Sequence, residues 1–156
     1  MKGGLTSIIA TILSMALSSD AGIQQKVDEG YDYSLNNVRA SHIVDGDTFY
    51  LSVRLIGIDS PERNEDLYRE ASDYLRELLR GRRVRIEQDE EQLDRYGRIL
   101  GYVYVEHEEE EILVNEEMIR QGYAEAKDYP PNTQFSERFD EAEQEAREHR
   151  RGIWAE

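Results

Sequence analysis

Val44 to Glu62, VDGDTFYLSVRLIGIDSPE, is the stretch that most restricts what this chain can fold into. It sets Asp45, Asp47, Asp59, Glu62 and Arg54 among apolar residues. Val53, Leu55, Ile56 and Ile58 read as a buried strand with the charges at its ends and mouth. Carboxylates beside an apolar run cost free energy unless they are paired, hydrated or bound to a metal. The stretch contains neither cysteine nor histidine, so its donors are oxygens, the set that suits a hard cation such as Ca²⁺. Arg54 suits bidentate capture of a phosphate. A cation, a phosphate clamp and a spare carboxylate together point to phosphodiester hydrolysis.

Each piece also has a purely structural reading. Asp45-Gly46 is a common turn dipeptide. Ser60-Pro61-Glu62 has the form of a helix start, with a Ser cap, Pro at the first position and an acid in the first turn. Arg54 alone would pass for a strand-edge charge. The combination gains weight from a second stretch, Asp94-Arg95-Tyr96-Gly97-Arg98, which runs into the strand-like Ile99 to Tyr104.

Taken together the motifs resemble the staphylococcal-nuclease-like (thermonuclease) family. The matching segments are VDGDT (Val44 to Thr48), RLIGIDSPE (Arg54 to Glu62), DRYGRILGYVY (Asp94 to Tyr104), VNEEMIRQGYA (Val114 to Ala124) and GIW (Gly152 to Trp154), in the family's order. The resemblance implies an α+β domain built on a five-stranded OB-type β-barrel with three helices. It implies that Asp47, Asp59 and the carbonyl of Ser60 ligate Ca²⁺, with Asp45 acting through water. It also implies that Arg54 and Arg98 clamp the scissile phosphate and that Glu62 orients or deprotonates the attacking water. Tyr96 and Tyr129 would contact the substrate. The implied activity is cleavage of DNA and RNA with little sequence specificity, leaving 3′-phosphate ends.

The chain departs from the family pattern between Thr48 and Arg54. Only Phe49 to Val53 intervene, where the family has two strands joined by a Gly or Asn turn. Either a very tight loop replaces that hairpin or the strand runs straight on. The segment from Arg63 to Tyr68 is short as well, and the tyrosine-rich segment before the last helix is reduced to Lys127-Asp-Tyr-Pro-Pro.

The 156 residues fit one domain with a tail. The first 21 join a positive start, an apolar run from Leu5 to Leu17 and small residues after it, the form of a secretory signal peptide, with an uncleaved anchor as the alternative. Residues 22–37 are polar and read as a linker. The domain is expected over 38–156, exported and monomeric, with no stable membrane association once the leader is removed. Further strands are expected at Val38 to Val44, Val84 to Gln88, Ile99 to Val105 and Ile112 to Val114. One helix is expected on Leu67, Ala71, Tyr74, Leu75, Leu78 and Leu79, stopped by Gly81. A second runs from Val114 to Gly122, and a third carries Phe135, Phe139, Ala142, Ala146 and His149, ended by Gly152.

Acidic residues outnumber basic ones by 34 to 19, for a net charge of −15. That is a poor balance for a nucleic-acid binder. Lysine occurs only at Lys2, Lys26 and Lys127, so arginine supplies the other 16 basic residues. A surface rich in Asp and Glu and poor in Lys is expected of a protein working in high salt, where the screening length falls to ~3 Å at 1 M. Glu106 to Glu111 reads as a solvated hairpin tip. Arg80, Arg82, Arg83 and Arg85 form the one dense positive patch, either a flank of the substrate groove or a solvated turn. With no cysteine there is neither disulfide nor thiolate. His42, His107 and His149 lie too far apart for ligand spacing. Two further readings are a module of the same fold that holds nucleic acid or protein without cutting, favoured by charge and the short hairpin, and a calcium-stabilised structural domain, against which Arg54 and Arg98 argue.

Overall fold

A computed structural model describes residues 40–107 and 110–155. The expected leader, the linker and the first two residues of the expected domain lie outside the described residues.

The centre of the domain is a strand whose apolar residues cover both faces. Ile99 to Val105 is buried throughout and forms most of β6 (Ile99–His107). Strands covered on both sides read as continuous apolar runs rather than alternating ones. On one edge β6 pairs in parallel with β3 (Val53–Leu55), with Arg54 opposite Leu100. Further along it pairs with β7 (Glu110–Leu113), antiparallel, across the acidic hairpin. Its other edge carries β5 (Val84–Glu87), also antiparallel, with Val84 opposite Val105. β4 (Ile58–Asp59) pairs with β8 (Glu125–Ala126) as a separate two-stranded ladder.

The expected strand from Val53 to Ile58 is broken in two. A turn at Ile56-Gly57 separates β3 from β4. Gly57 has φ +76°, and a Cβ there would meet the Phe139 ring at 2.4 Å, so glycine serves both the turn and the contact.

Three helices form where the apolar spacing places them. α1 (Tyr68–Leu79) buries Ala71 and Leu78, with Tyr74, Leu75 and Leu79 packed at its margin. It begins six residues after Glu62 rather than at Ser60, and Gly81 (φ +71°) turns the chain beyond it. α2 (Val114–Arg120) buries Val114, Asn115, Glu116, Met118 and Ile119. α3 (Ser136–Glu148) buries Phe139, Ala142 and Ala146, one stripe at i, i+3 and i+7. Phe135, Phe139 and Tyr102 form an aromatic cluster between α3 and β6, with Tyr102 and Phe135 edge to face at 4.5 Å. Truncating Phe139 to Ala would cost about 3–5 kcal/mol, the usual range for a fully buried ring. No helix among the described residues is long and apolar enough to cross a membrane.

Asn115 ties these layers together. Its Oδ1 accepts from the Val103 amide at 2.9 Å. Its Nδ2 donates to the carbonyls of Ile56 at 2.8 Å and Gly101 at 3.3 Å. One buried side chain thus fixes α2, β6 and the turn after β3. At the far end, Ile153 in the closing turn of 3₁₀ helix (Gly152–Trp154) donates to the carbonyl of Gly122 at 2.9 Å, and the two glycines pass too closely for a Cβ on either.

The helix count and the mixed α+β class agree with the sequence reading. A closed five-stranded barrel does not form among the described residues. β1 (Ala40–Ile43) and β2 (Phe49–Leu51) make an antiparallel hairpin that is a sheet by itself, hydrogen-bonded to no other strand among the described residues. Every residue from Ala40 to Tyr50 is exposed. The cause lies in the shortened segment: a single residue, Ser52, joins β2 to β3, and its carbonyl accepts from the Ile99 amide at 2.9 Å. One residue cannot reverse the chain; the tightest common hairpins need a two-residue loop. Of the two expected alternatives, the strand running straight on is the one that occurs.

Candidate active site

The candidate residues fall into three groups. The first surrounds the start of β6. Asp94 closes a turn by accepting from the backbone amides of Tyr96 at 2.8 Å and Arg98 at 3.0 Å. Its other oxygen takes Arg98 Nε at 2.5 Å. The Asp94 side chain is 4% exposed and that of Arg98 41%. Burial alone would raise the Asp94 pKa, but the Arg98 amide, the Arg98 guanidinium and the Tyr96 amide outweigh it and hold the carboxyl below its ordinary value. Arg98 is therefore gripped at Nε by a carboxylate that stays charged, leaving its terminal nitrogens for an anion. Tyr96 is exposed, with the Arg95 and Arg98 guanidiniums 4.7 and 5.4 Å from its ring centre.

The second group is the turn from β3 to β4. Arg54 is half-buried and folds over that turn, donating from Nη1 to the Leu55 carbonyl and from Nη2 to the Ile58 carbonyl at 2.7 Å. The parallel register sets Arg54 opposite Leu100, two residues beyond Arg98. By strand alternation the two arginines belong to one face of neighbouring strands. Asp59 ends β4, and its carboxylate is ion-paired with the Lys127 ammonium just after β8. Ser60 and Glu62 follow, both exposed. The Glu62 amide donates to Glu65 Oε2 at 2.6 Å, while its carboxylate has no hydrogen-bond partner among the described residues.

The third group is the tip of the β1–β2 hairpin. The Asp47 amide donates to Asp45 Oδ1 at 3.2 Å, and Thr48 Oγ1 donates to Asp47 Oδ1 at 2.9 Å. The Asp47 side chain, then the Asp47 amide and the Thr48 hydroxyl, hold the Asp45 carboxyl below its ordinary value.

The donors have the chemistry a calcium ion needs, since all are oxygens. Their placement within one chain does not complete a shell. Among the described residues no three carboxylates or imidazoles gather closely enough to hold a metal ion. Asp45 and Asp47 stand on the separate hairpin, and Asp59 is occupied by Lys127.

Tyr129 is half-buried against the core, and its carbonyl accepts from the Asn132 amide at 2.8 Å. Asn132 is itself buried and exchanges hydrogen bonds with the backbone of Glu91 at 2.7 and 2.8 Å. In the basic cluster, Arg85 turns to Glu111 across the sheet with a bidentate pair at 2.8 and 2.7 Å, which commits it to β7 rather than to a substrate. Sequence reasoning missed Lys127 and the role of Asp94. Asp94 had a local signal, a carboxylate four residues before an arginine across a Tyr-Gly turn. Lys127 had none, because its partner is 68 residues away.

The candidate site thus offers a buried carboxylate gripping an exposed arginine, a second arginine on the neighbouring strand and, beyond it, a glutamate carboxylate without a hydrogen-bond partner among the described residues, and the two guanidiniums have the chemistry to hold an anion. The chain belongs to the staphylococcal nuclease family: the profile described as "Staphylococcal nuclease homologue" matches residues 52–156. It is similar to the thermonuclease of Staphylococcus intermedius, 34% identical over 72% of both chains. It is 29% identical to the thermonuclease of Staphylococcus hyicus over 97% of this chain and 96% of that one. An uncharacterized endonuclease of Escherichia coli is 34% identical over 75% of this chain and 76% of its own.

Proposed function

We infer that this chain is a secreted, Ca²⁺-dependent nuclease that hydrolyses DNA and RNA with little sequence specificity. The observation that carries the reading is the Asp94–Arg98 pair beside Arg54. That pair fixes the Arg98 guanidinium, while the register places Arg54 on the neighbouring strand with its guanidinium on the Leu55 and Ile58 carbonyls, and fixed charges aimed at where negative charge develops supply much of the rate enhancement in reactions of this kind. The names of the relatives, thermonuclease and endonuclease, support it.

In this reading a water attacks phosphorus in line with the 5′-oxygen. The new P–O bond forms as the P–O5′ bond breaks, and the departing 5′-oxygen takes a proton from solvent, leaving a 3′-phosphate and a free 5′-hydroxyl. Glu62 orients the water and takes its proton. Arg54 and Arg98 hold the phosphoryl oxygens, where negative charge builds. Tyr96 bonds a neighbouring phosphate, and Tyr129 supports the substrate end. Contacts to backbone rather than base edges carry no sequence information. Ca²⁺, held by Asp47, Asp59 and the Ser60 carbonyl with Asp45 through water, would supply further positive charge at the phosphate. Export rests on the leader over 1–21.

The test is hydrolysis of single-stranded DNA by the full chain with Ca²⁺ or a chelator, at low and molar salt. Calcium-dependent cutting that falls at least about a hundredfold in Glu62→Ala and Arg98→Ala is the expected result. A folded protein that binds the strand and cuts in no condition would make it a binding module, the reading that the net charge and the detached hairpin favour.

A further inference from the structure

The β1–β2 hairpin and the main sheet leave matching surfaces unsatisfied. On the hairpin, Ile43, Val44, Phe49 and Tyr50 are 48–63% exposed. An isolated two-stranded hairpin is marginal in water. On the main sheet, β3 and β5 each pair only with β6 among the described residues, so each presents a free edge. Val84 and Ile86 on β5 are exposed beside one of them. Two free edges and a two-stranded piece whose own two outer edges have no partner among the described residues are complementary, and free apolar edges are what strand pairing covers.

The hairpin cannot fold back onto the β3 edge in its own chain. To pair with β3, β2 would have to run back antiparallel beside it, and Ser52 alone joins them. A single residue spans at most ~3.6 Å and supplies no turn. A second copy carries no such restraint.

We propose that this protein is a hairpin-exchanged dimer in which the β1–β2 hairpin of each copy fills the gap between β3 and β5 of the other. The exchange is reciprocal, so it closes as a twofold pair. It also completes the site. With β2 antiparallel to the β3 of the second copy, the start of β2 lies beside the end of β3. Asp45 and Asp47 immediately precede that start, and Arg54 and Asp59 lie at and just beyond that end. Each site then takes its hairpin carboxylates from one copy and Arg54, Asp59, Glu62 and Arg98 from the other. This accounts for the absence of a three-carboxylate group within one described chain. The composite site rests on the nuclease reading; the exchange itself does not.

The experiment uses the full chain. Light scattering across about a hundredfold range of concentration reads its mass, expected at twice 18.2 kDa. Inserting Asn-Gly after Ser52 supplies a two-residue hairpin turn and should convert the dimer to a monomer. Asp47→Ala and Arg98→Ala chains, each inactive alone, are mixed in denaturant and refolded. Half of the dimers are then mixed and each has one intact site, so about a quarter of the native cleavage rate should return. A monomeric native chain overturns the exchange, and so does a dimer that the insertion leaves unchanged. An active dimer with no recovery in the mixture overturns the shared site. A monomer that cuts DNA removes the exchange and keeps the nuclease. A dimer that cuts nothing, yet falls to a monomer on insertion, removes the nuclease and keeps the exchange.

Discussion

The Lys127 ammonium sits on the Asp59 carboxylate, joining two residues 68 positions apart across the β4–β8 ladder. A lysine in that place is a resident cation on a carboxylate that calcium would need. Both side chains are well exposed, so the pair is worth no more than about 1 kcal/mol. Lys127→Met should therefore tighten calcium binding by up to about fivefold, read by titration calorimetry. A weaker affinity would mean that Lys127 does not compete with the ion at Asp59.

Asp94 should matter to the reaction through Arg98 alone. Asp94→Asn keeps the side-chain shape and gives up the charge that grips Arg98 Nε. A misplacement of ~1 Å can cost about a hundredfold in rate. The cleavage rate at saturating DNA should fall by about that factor, and by no more in the Asp94→Asn, Arg98→Ala double variant than in Arg98→Ala. Additive losses would show that Asp94 acts on its own.

Asn115→Ala should destabilise the fold without touching the site. It strips the side-chain partner from the Val103 amide and the Ile56 carbonyl, both in the interior, while the Gly101 carbonyl keeps the Ile56 amide at 3.3 Å. Leaving buried groups unsatisfied costs about 1–3 kcal/mol each. A loss of about 2 kcal/mol or more in urea unfolding is expected. A loss below about 1 kcal/mol would mean that water takes the place of the amide.

Acid should unfold the protein through a few carboxylates. Asp94 and Glu111 have folded pKa values below their ordinary 3.8 and 4.5, the latter through its bidentate hydrogen bonds from Arg85. A carboxyl depressed in the folded state stabilises it fully above its unfolded value, and that stability is lost as pH falls through the folded value. The melting temperature should be flat above about pH 5 and fall steadily below about pH 4. Glu111→Gln should soften that fall, and an identical profile would exclude this pair.

The acidic surface makes a separate prediction about salt. A net charge of −15 over the chain, most of it on one small domain, destabilises that domain by self-repulsion that ions screen. Melting temperature should rise between about 0.1 and 2 M NaCl, where the screening length falls from about 10 Å to below 3 Å. A fold indifferent to molar salt would remove the saline reading.

What was legible in the sequence was whatever repeats locally. Ala71, Leu78 and the stripe of Phe139, Ala142 and Ala146 announced α1 and α3 because helical packing writes its period into neighbouring residues. Asp94 to Arg98 was visible as a motif because its hydrogen bonds close within five residues. The break between β3 and β4 was hidden, since Ile56 and Ile58 are as apolar as a continuous strand would have them. It is Phe139, far along the chain, that requires the Gly57 turn. The isolation of the hairpin was half legible: the five residues from Phe49 to Val53 announced that a tight loop or a strand running straight on replaces the family's two strands, but not which of the two, nor where the freed strands would go.

The meeting of Gly122 and Gly152 sets the order in which this protein can be completed during synthesis. The backbone at Gly122, at the end of α2, is held by the Ile153 amide, and the Arg120 carbonyl is held by the Arg151 guanidinium at 3.0 Å. Those partners are translated about thirty residues later, so α2 leaves the ribosome with its last turn unfastened. The domain can therefore lock only once residues 151–154 have emerged. A ribosome stalled shortly before them would hold a nascent chain with the Arg120–Glu145 pair between α2 and α3 available but the backbone fastening at Gly122 not yet made.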